Sequence, residues 1–152
     1  MLNIDISGNV SLQTRFQEPC ASVHCKVGRD AVTDKTYMAE KGLAFNAIKP
    51  GPSGRSDTIG FEDMNDPGHY LRYFSQQAFI DNASAPRNPA NWRQDCSFEF
   101  DYGNLVAGYF SLMATTIEYY YHAVGTGEFR FDPGSSSQLF YDEASFRLVE
   151  GM

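Results

Sequence analysis

Residues 128–151 read Glu-Phe-Arg-Phe-Asp-Pro-Gly-Ser-Ser-Ser-Gln-Leu-Phe-Tyr-Asp-Glu-Ala-Ser-Phe-Arg-Leu-Val-Glu-Gly. Phe129 and Phe131 alternate with polar residues, which predicts a half-buried strand. Pro133-Gly134 and the serines that follow predict a turn. Apolar and polar residues then alternate again around Phe146, which predicts a second strand that ends at the final glycine.

This stretch closes one unit of a threefold repeat. Apolar anchors recur 49 residues apart at Leu12, Phe61 and Phe110. Each unit ends on a small residue followed by phenylalanine, in Leu43-Ala44-Phe45, Cys96-Ser97-Phe98 and Ala144-Ser145-Phe146. Self-similarity at a fixed period is the sequence signature of a repeat architecture. The predicted units span residues 10–51, 58–103 and 104–150.

The strands between these anchors are short, and turns rich in proline and glycine separate them. A unit of this size buries too little surface to be stable alone, so we expect the 152 residues to form one domain. The sequence predicts an all-β fold in which three similar units close into a barrel with pseudo-threefold symmetry, because closure leaves no sheet edge unpaired.

Charge and composition exclude several classes of function. The formal net charge is −7, which argues against nucleic acid and anionic lipid as partners. The apolar run of residues 105–113 is too short to span a bilayer, and residues 1–5 show neither the basic nor the apolar region that is typical of a secretory signal. Neither a CxxC pair nor a phosphate loop occurs, so we expect no metal and no cofactor.

The three cysteines cannot all pair with one another within the chain. Cys96 occupies the position where the third unit has Ala144, which predicts a buried, reduced thiol. Cys20 and Cys25 remain as a possible disulfide.

Two segments resemble a known family. Tyr70-Leu71-Arg72-Tyr73 is similar to the Tyr-Ile-Arg-His signature, and residues 131–149 are similar to the Leu-Asp-Pro … Asp-Ala-Thr-Phe-Arg-Val-Val step, of arabinofuranose-binding β-trefoil modules, carbohydrate-binding family 42. These modules are attached to α-L-arabinofuranosidases. The resemblance extends over residues 10–150 and is strongest in the third unit. It implies a β-trefoil with four strands in each unit, in which three hairpins cap a six-stranded barrel, and one shallow sugar pocket in each unit.

The resemblance also implies that a histidine and an aspartate hold the sugar hydroxyls in each pocket. The histidine position falls on His24, Tyr73 and His122, and the aspartate position falls on Gly42, Asp95 and Glu143. Carboxylates accept hydrogen bonds from hydroxyls, and imidazole can both donate and accept them. We therefore expect the third unit to bind best, the second to bind more weakly or differently, and the first not to bind.

Each of these side chains also has a structural interpretation. His122 follows three tyrosines, which is equally typical of a packed core histidine, and Asp95 can order the neighbouring loop instead. Catalysis is not expected, because Asp142 and Glu143 would point to opposite faces of an extended segment.

The sequence thus predicts a non-catalytic carbohydrate-binding module or lectin, extracellular if it binds sugar, that recognises arabinose-containing glycans. The alternative is a protein-binding β-trefoil, an inhibitor or toxin-associated module that binds its partner through the loops of residues 50–57 and 86–91.

Overall fold

The computed structural model describes residues 9–17, 20, 23–84, 90–102 and 109–151. Within these ranges the chain forms twelve strands and two short helices. The N-terminal residues and most of the loop at 86–91 lie outside the described residues. The elements are β1 Asn9–Thr14, β2 Lys26–Arg29, β3 Thr36–Ala39, β4 Phe45–Ile48, β5 Thr58–Asp63, β6 Tyr70–Phe74, β7 Gln77–Asp81, α1 Trp92–Asp95, β8 Phe98–Tyr102, β9 Phe110–Ala114, β10 Tyr119–Ala123, β11 Phe129–Pro133, α2 Gln138–Glu143 and β12 Phe146–Glu150.

Six of the strands pair antiparallel in a closed ring. Along the ring, β1 pairs with β4, β4 with β5, β5 with β8, β8 with β9, β9 with β12, and β12 with β1. The remaining strands form three antiparallel hairpins, β2–β3, β6–β7 and β10–β11. Each predicted unit thus contributes two ring strands and one hairpin to an all-β structure.

The core lies inside this ring. The six predicted anchor and closing residues are all buried, at Leu12, Phe61, Phe110, Phe45, Phe98 and Phe146. Tyr121 is fully buried and stacks on Phe146 with 5.1 Å between ring centroids. Its hydroxyl donates to Thr36 Oγ1 over 2.8 Å, so the one polar atom of this side chain is satisfied inside the core.

The strand register corrects one anchor. Phe45 pairs with Asp63, Phe98 pairs with Ala114, and Phe146 pairs with Thr14. Counting back two residues from these partners places Leu112, and not Phe110, at the position of Leu12 and Phe61. The anchors are therefore 49 and then 51 residues apart. Phe110 is still buried, because a shift of two residues keeps a strand side chain on the same face.

Two short helices interrupt the strands, and the sequence analysis did not predict them. Helices α1 and α2 lie at equivalent places, directly before the closing strands β8 and β12. Ser137 caps α2, because its hydroxyl accepts a hydrogen bond from the amide of Phe140 over 3.1 Å. Residues 138–143 are therefore helical, although the sequence analysis treated Asp142 and Glu143 as part of an extended segment.

The cysteines agree with the expectation. Cys20 and Cys25 form a disulfide, and Cys96 is free and fully buried. Burial raises the pKa of the Cys96 thiol far above its ordinary value.

We expect Cys96 to react with an aromatic disulfide reagent at least about a hundredfold more slowly in the native protein than in guanidinium, because reaction requires opening of the fold. The measurement is the rate of thiolate release at pH 8, with the denatured protein as the control. Native labelling at the denatured rate would show that the thiol is accessible.

Candidate functional site

His122 of β10 lies between two carboxylates. Its Nε2 donates to Asp132 Oδ2 of β11 over 2.7 Å, and its Nδ1 lies 3.5 Å from Glu143 Oε1 of α2. The imidazole also packs on Phe140 with 4.9 Å between ring centroids. Nδ1 is buried and has no hydrogen-bond partner among the described residues. The structure thus brings together His122 and Glu143, the pair that the sequence analysis ranked first.

The helix decides which carboxylate faces this histidine. Glu143 is the last residue of α2 and points to His122, whereas the neighbouring Asp142 forms an ion pair with Arg15 and accepts from Gln138. Successive side chains of an α-helix diverge by roughly 100°. The two acidic residues therefore serve different sites, as expected, but helical rather than extended geometry is the reason.

The second unit contains the same arrangement with an arginine in place of the histidine. In each unit one residue pair joins a ring strand to its hairpin, and these pairs align the three units. They are Gln13 with Lys26, Glu62 with Tyr70, and Met113 with Tyr120. Two residues further on, the position of His122 is occupied by Arg72 in the second unit and by Gly28 in the first. This corrects the carry-over of the family signature, which placed Tyr73 and His24 there. The histidine of the signature aligns with Tyr73 in the second unit. The equivalent position is occupied by Ala123 in the third unit and by Arg29 in the first.

Arg72 is enclosed by two carboxylates. Its Nη2 donates to Asp95 Oδ2 over 3.0 Å, and its Nη1 lies 3.6 Å from Asp81 Oδ2. Asp81 corresponds in hairpin register to Asp132, and Asp95 lies three residues before its closing phenylalanine, as Glu143 does. Burial raises the pKa of Asp95, although the hydrogen bond and charge of Arg72 lower it.

The first unit has lost all three groups. The position of Arg72 and His122 is occupied by Gly28. The two carboxylate positions of the other units are occupied by Ala39 and Gly42. A Cβ on Gly42 would lie 2.5 Å from Cβ of Lys26, so no carboxylate fits there without moving the strand. Close backbone packing therefore supports the expectation that this unit has no histidine–carboxylate pocket.

The other predicted site residues are placed as follows. Tyr73 is half-buried and packs its ring edge-to-face against Phe131, 5.3 Å between centroids, and burial raises the pKa of its phenol. His24 precedes β2, and its Nδ1 lies 3.0 Å from the carbonyl oxygen of Arg15. Asp95 binds Arg72, so its carboxylate is engaged within the protein.

A cavity of about 360 Å³ opens beside Glu143. We call it the α2 pocket, and its walls come from the first and third units. It is lined by Phe16, Met38, Ala123, Val124, Gly125, Thr126, Gly127, Leu139 and Glu143. Pockets for small molecules commonly have this size and are mostly apolar, with few polar groups. Glu143 is the ionisable side chain in its lining, and it bridges the pocket to the buried His122.

Sequence reasoning missed Arg72, Asp81 and Asp132 as members of these clusters. The sequence contained the pattern that identifies Arg72, because aligning Tyr70 with Tyr120 places Arg72 at the position equivalent to His122. It also missed the walls supplied by Phe16 and Met38. Those residues belong to another unit, and no local pattern connects them with Glu143.

No family model matches the chain, and no curated protein sequence matches it. Membership in the arabinofuranose-binding family therefore stays a prediction. In the described residues no helix is long and apolar enough to cross a membrane.

Solved structures with similar folds are found at low sequence identity. An arabinofuranosidase complexed with arabinofuranosyl-α-1,2-xylobiose matches with a TM-score of 0.70 and 12% identity, over 95% of this chain and 31% of that chain. The BEL β-trefoil matches with a TM-score of 0.69 and 14% identity, over 97% of both chains. Cry35Ab1 matches with a TM-score of 0.67 and 8% identity, over 97% of this chain and 36% of that chain. The chain thus spans about a third of the arabinofuranosidase, and the likeness is one of fold.

We expect Arg72→Met to destabilise the protein by about 3–5 kcal/mol at pH 7, because it leaves buried carboxylates without their cation. Without Arg72 the pKa of Asp95 rises further. A carboxyl group whose pKa is raised on folding stabilises the folded state below its unfolded value, 3.8 here, and this contribution is lost as the pH rises through the folded value. The loss in the variant should therefore be smaller near pH 4 than at pH 7.

Urea denaturation between pH 4 and pH 7 measures this effect. The control is Arg93→Met, which removes an exposed arginine of α1 and should change the free energy of unfolding by no more than about 0.5 kcal/mol. Equal destabilisation by Arg72→Met at both pH values would contradict the electrostatic explanation.

Proposed function

We propose that the protein is a β-trefoil module that binds carbohydrate without catalysis, with its main site at the α2 pocket. The observation that carries the proposal is the position of Glu143, whose carboxylate lines an open, largely apolar pocket while His122 contacts it from the buried side. A sugar presents hydroxyls to an acceptor and C–H faces to apolar walls, and this lining offers both.

Glu143 has capacity for a ligand. An ionised carboxylate has about four acceptor sites, and His122 Nδ1, which lies 3.5 Å from Oε1, occupies none of them with a hydrogen bond. Asp132 holds the opposite side of the imidazole over 2.7 Å and itself accepts from Gln76 over 3.0 Å. His122 and Asp132 are therefore positioning residues, which fix the carboxylate that contacts the ligand.

The side chains of the cluster are more exposed in the third unit than in the second, which favours the third unit as the binding site. The side chains of Arg72, Asp81 and Asp95 are 1%, 1% and 9% exposed, whereas those of His122, Asp132 and Glu143 are 8%, 29% and 20% exposed. A sealed ion cluster offers no group to a ligand. We propose that the second unit keeps its cluster for stability and that the third uses its cluster for binding.

One solved structure of similar fold supports a sugar as the ligand. The matching arabinofuranosidase is complexed with an arabinofuranosyl xylobiose. We therefore propose arabinose-containing glycans as the first ligands to test. We propose no catalytic role, because Asp142 and Glu143 face different partners and do not form the paired carboxylates of a glycosidase.

The alternative function is binding of a protein partner, for which the similarity of fold to Cry35Ab1 gives no specific site. The predicted contact loop at residues 50–57 is anchored to the body of the protein. Ser53 donates its amide to Ser97 Oγ over 2.9 Å, and Gly51 lies against the same serine. The predicted loop at 86–91 lies mostly outside the described residues.

We expect Glu143→Gln to weaken binding of arabinose-containing oligosaccharides by about tenfold, because a charge-assisted hydrogen bond is replaced by a neutral one. Calorimetry on glycans selected from an array measures the change. The control is Asp142→Asn, which changes the next residue of the same helix but faces Arg15. The control should bind like the unchanged protein.

Equal weakening by Asp142→Asn would show that helix stability, and not Glu143, is responsible. A chain that binds no glycan on the array would refute the proposed function. A stoichiometric protein captured by that same chain would then favour the alternative.

A further inference from the structure

A second depression of about 480 Å³ adjoins the α2 pocket, and we call it the hairpin groove. It is lined by Asp30, Thr33, Lys35, Thr36, Tyr37, Met38, Thr126, Gly127 and Glu128. Met38, Thr126 and Gly127 line both spaces. The two cavities therefore adjoin each other at the turn between β10 and β11.

Backbone pairing fastens the two hairpins that form the groove. The amide of Met38 donates to the carbonyl of Gly127 over 2.7 Å, and Tyr37 pairs with Glu128 as an isolated antiparallel bridge. The walls of the groove are thus held by main-chain contacts between the first and third units. A preformed groove of this kind lowers the entropic cost of binding.

Tyr37 supplies an aromatic surface in the groove and is 43% exposed. Its ring lies over Gly28, because a Cβ built on that glycine would be 3.2 Å from Cζ of the tyrosine. Gly28 stands at the position of Arg72 and His122 in the other units. Because this position holds glycine in the first unit, there is room for the aromatic ring of Tyr37 beside the α2 pocket.

The remaining groove residues provide hydrogen-bond donors and acceptors, and their side chains include both positive and negative charges. Lys35 offers an ammonium group, Asp30 and Glu128 offer carboxylates, and Thr33 and Thr126 offer hydroxyls. Hydrogen bonds from the amides of Val32 and Thr33 lower the pKa of Asp30, so this carboxylate is ionised at neutral pH. With Glu143 in the adjoining pocket, the acidic groups exceed the basic one, which disfavours an anionic ligand.

We infer that the ligand is a neutral, linear oligosaccharide of at least two residues, with one residue in the α2 pocket beside Glu143 and the next against Tyr37 in the hairpin groove. The inference rests on the proposed function and adds the length of the chain that the site recognises. Two adjoining cavities, each of a size that accommodates a small molecule, offer room for a ligand longer than one sugar. The half-exposed ring of Tyr37 gives the second residue an apolar face to pack on.

The test is calorimetric titration with arabinose and its α-1,5-linked dimer, trimer and tetramer, and with xylose and its β-1,4-linked dimer, trimer and tetramer. In at least one series we expect the trimer to bind about tenfold more tightly than the monosaccharide.

Tyr37→Ala should abolish this gain and leave monosaccharide affinity within about twofold, whereas Glu143→Gln should weaken every length. Met64→Ala, which removes another exposed apolar side chain away from both cavities, should change neither. Thermal melting checks that each variant is folded, and Tyr37→Phe should retain the gain with length.

Affinity that depends on Glu143 but not on chain length would overturn the inference and leave the proposed function in place. Equal weakening of monosaccharide and trimer by Tyr37→Ala would also overturn it. If neither series binds and the glycan array is empty, the proposed function fails and the inference fails with it.

Discussion

The structure depends on the ladder between β1 and β12. It joins the first described strand to the last through five residue pairs, from Val10 opposite Glu150 to Thr14 opposite Phe146. Without this ladder the ring of six strands would be open, and two strands would present unpaired backbone groups to solvent. Closure also turns one face of every ring strand inward, which is why the closing phenylalanine of each unit is buried. The apolar side chains alone would support several arrangements, and the ladder selects one.

The same closure places side chains of distant sequence in one site. The third hairpin packs against the first through the Met38–Gly127 hydrogen bond and the hydroxyl of Tyr121, which donates to Thr36. The α2 pocket and the hairpin groove lie along this contact. Thr36 also donates to the carbonyl of Ala78 over 3.5 Å, so the second hairpin joins the other two at the same buried point. The hairpins are therefore both the cap of the barrel and the walls of the candidate site.

Three copies of one position show how a repeat can diverge. The position holds Arg72, His122 or Gly28, and the charges around it change together with it. Where the residue is arginine, its two carboxylates are almost fully buried, since a buried charge is tolerated only when it is paired. Where it is histidine, the carboxylates reach the surface and one of them lines a pocket. Where it is glycine, the carboxylates are absent and an aromatic ring takes the space.

The sequence by itself determined the local features: the strands around Phe129 and Phe146, the buried phenylalanines and the buried thiol of Cys96. These follow from the two-residue period of a strand and from the fit of small and apolar residues in a core, which are properties of a few neighbouring residues. Only the tertiary structure decided which positions of the three units are equivalent. The ring-strand residue and its hairpin partner are Gln13 and Lys26, Glu62 and Tyr70, and Met113 and Tyr120, so the loops between them differ in length and no constant spacing can hold. The site depends on that register. The helical turn that aims Glu143 and the walls supplied by another unit are likewise set by long-range packing, which sequence periodicity does not record.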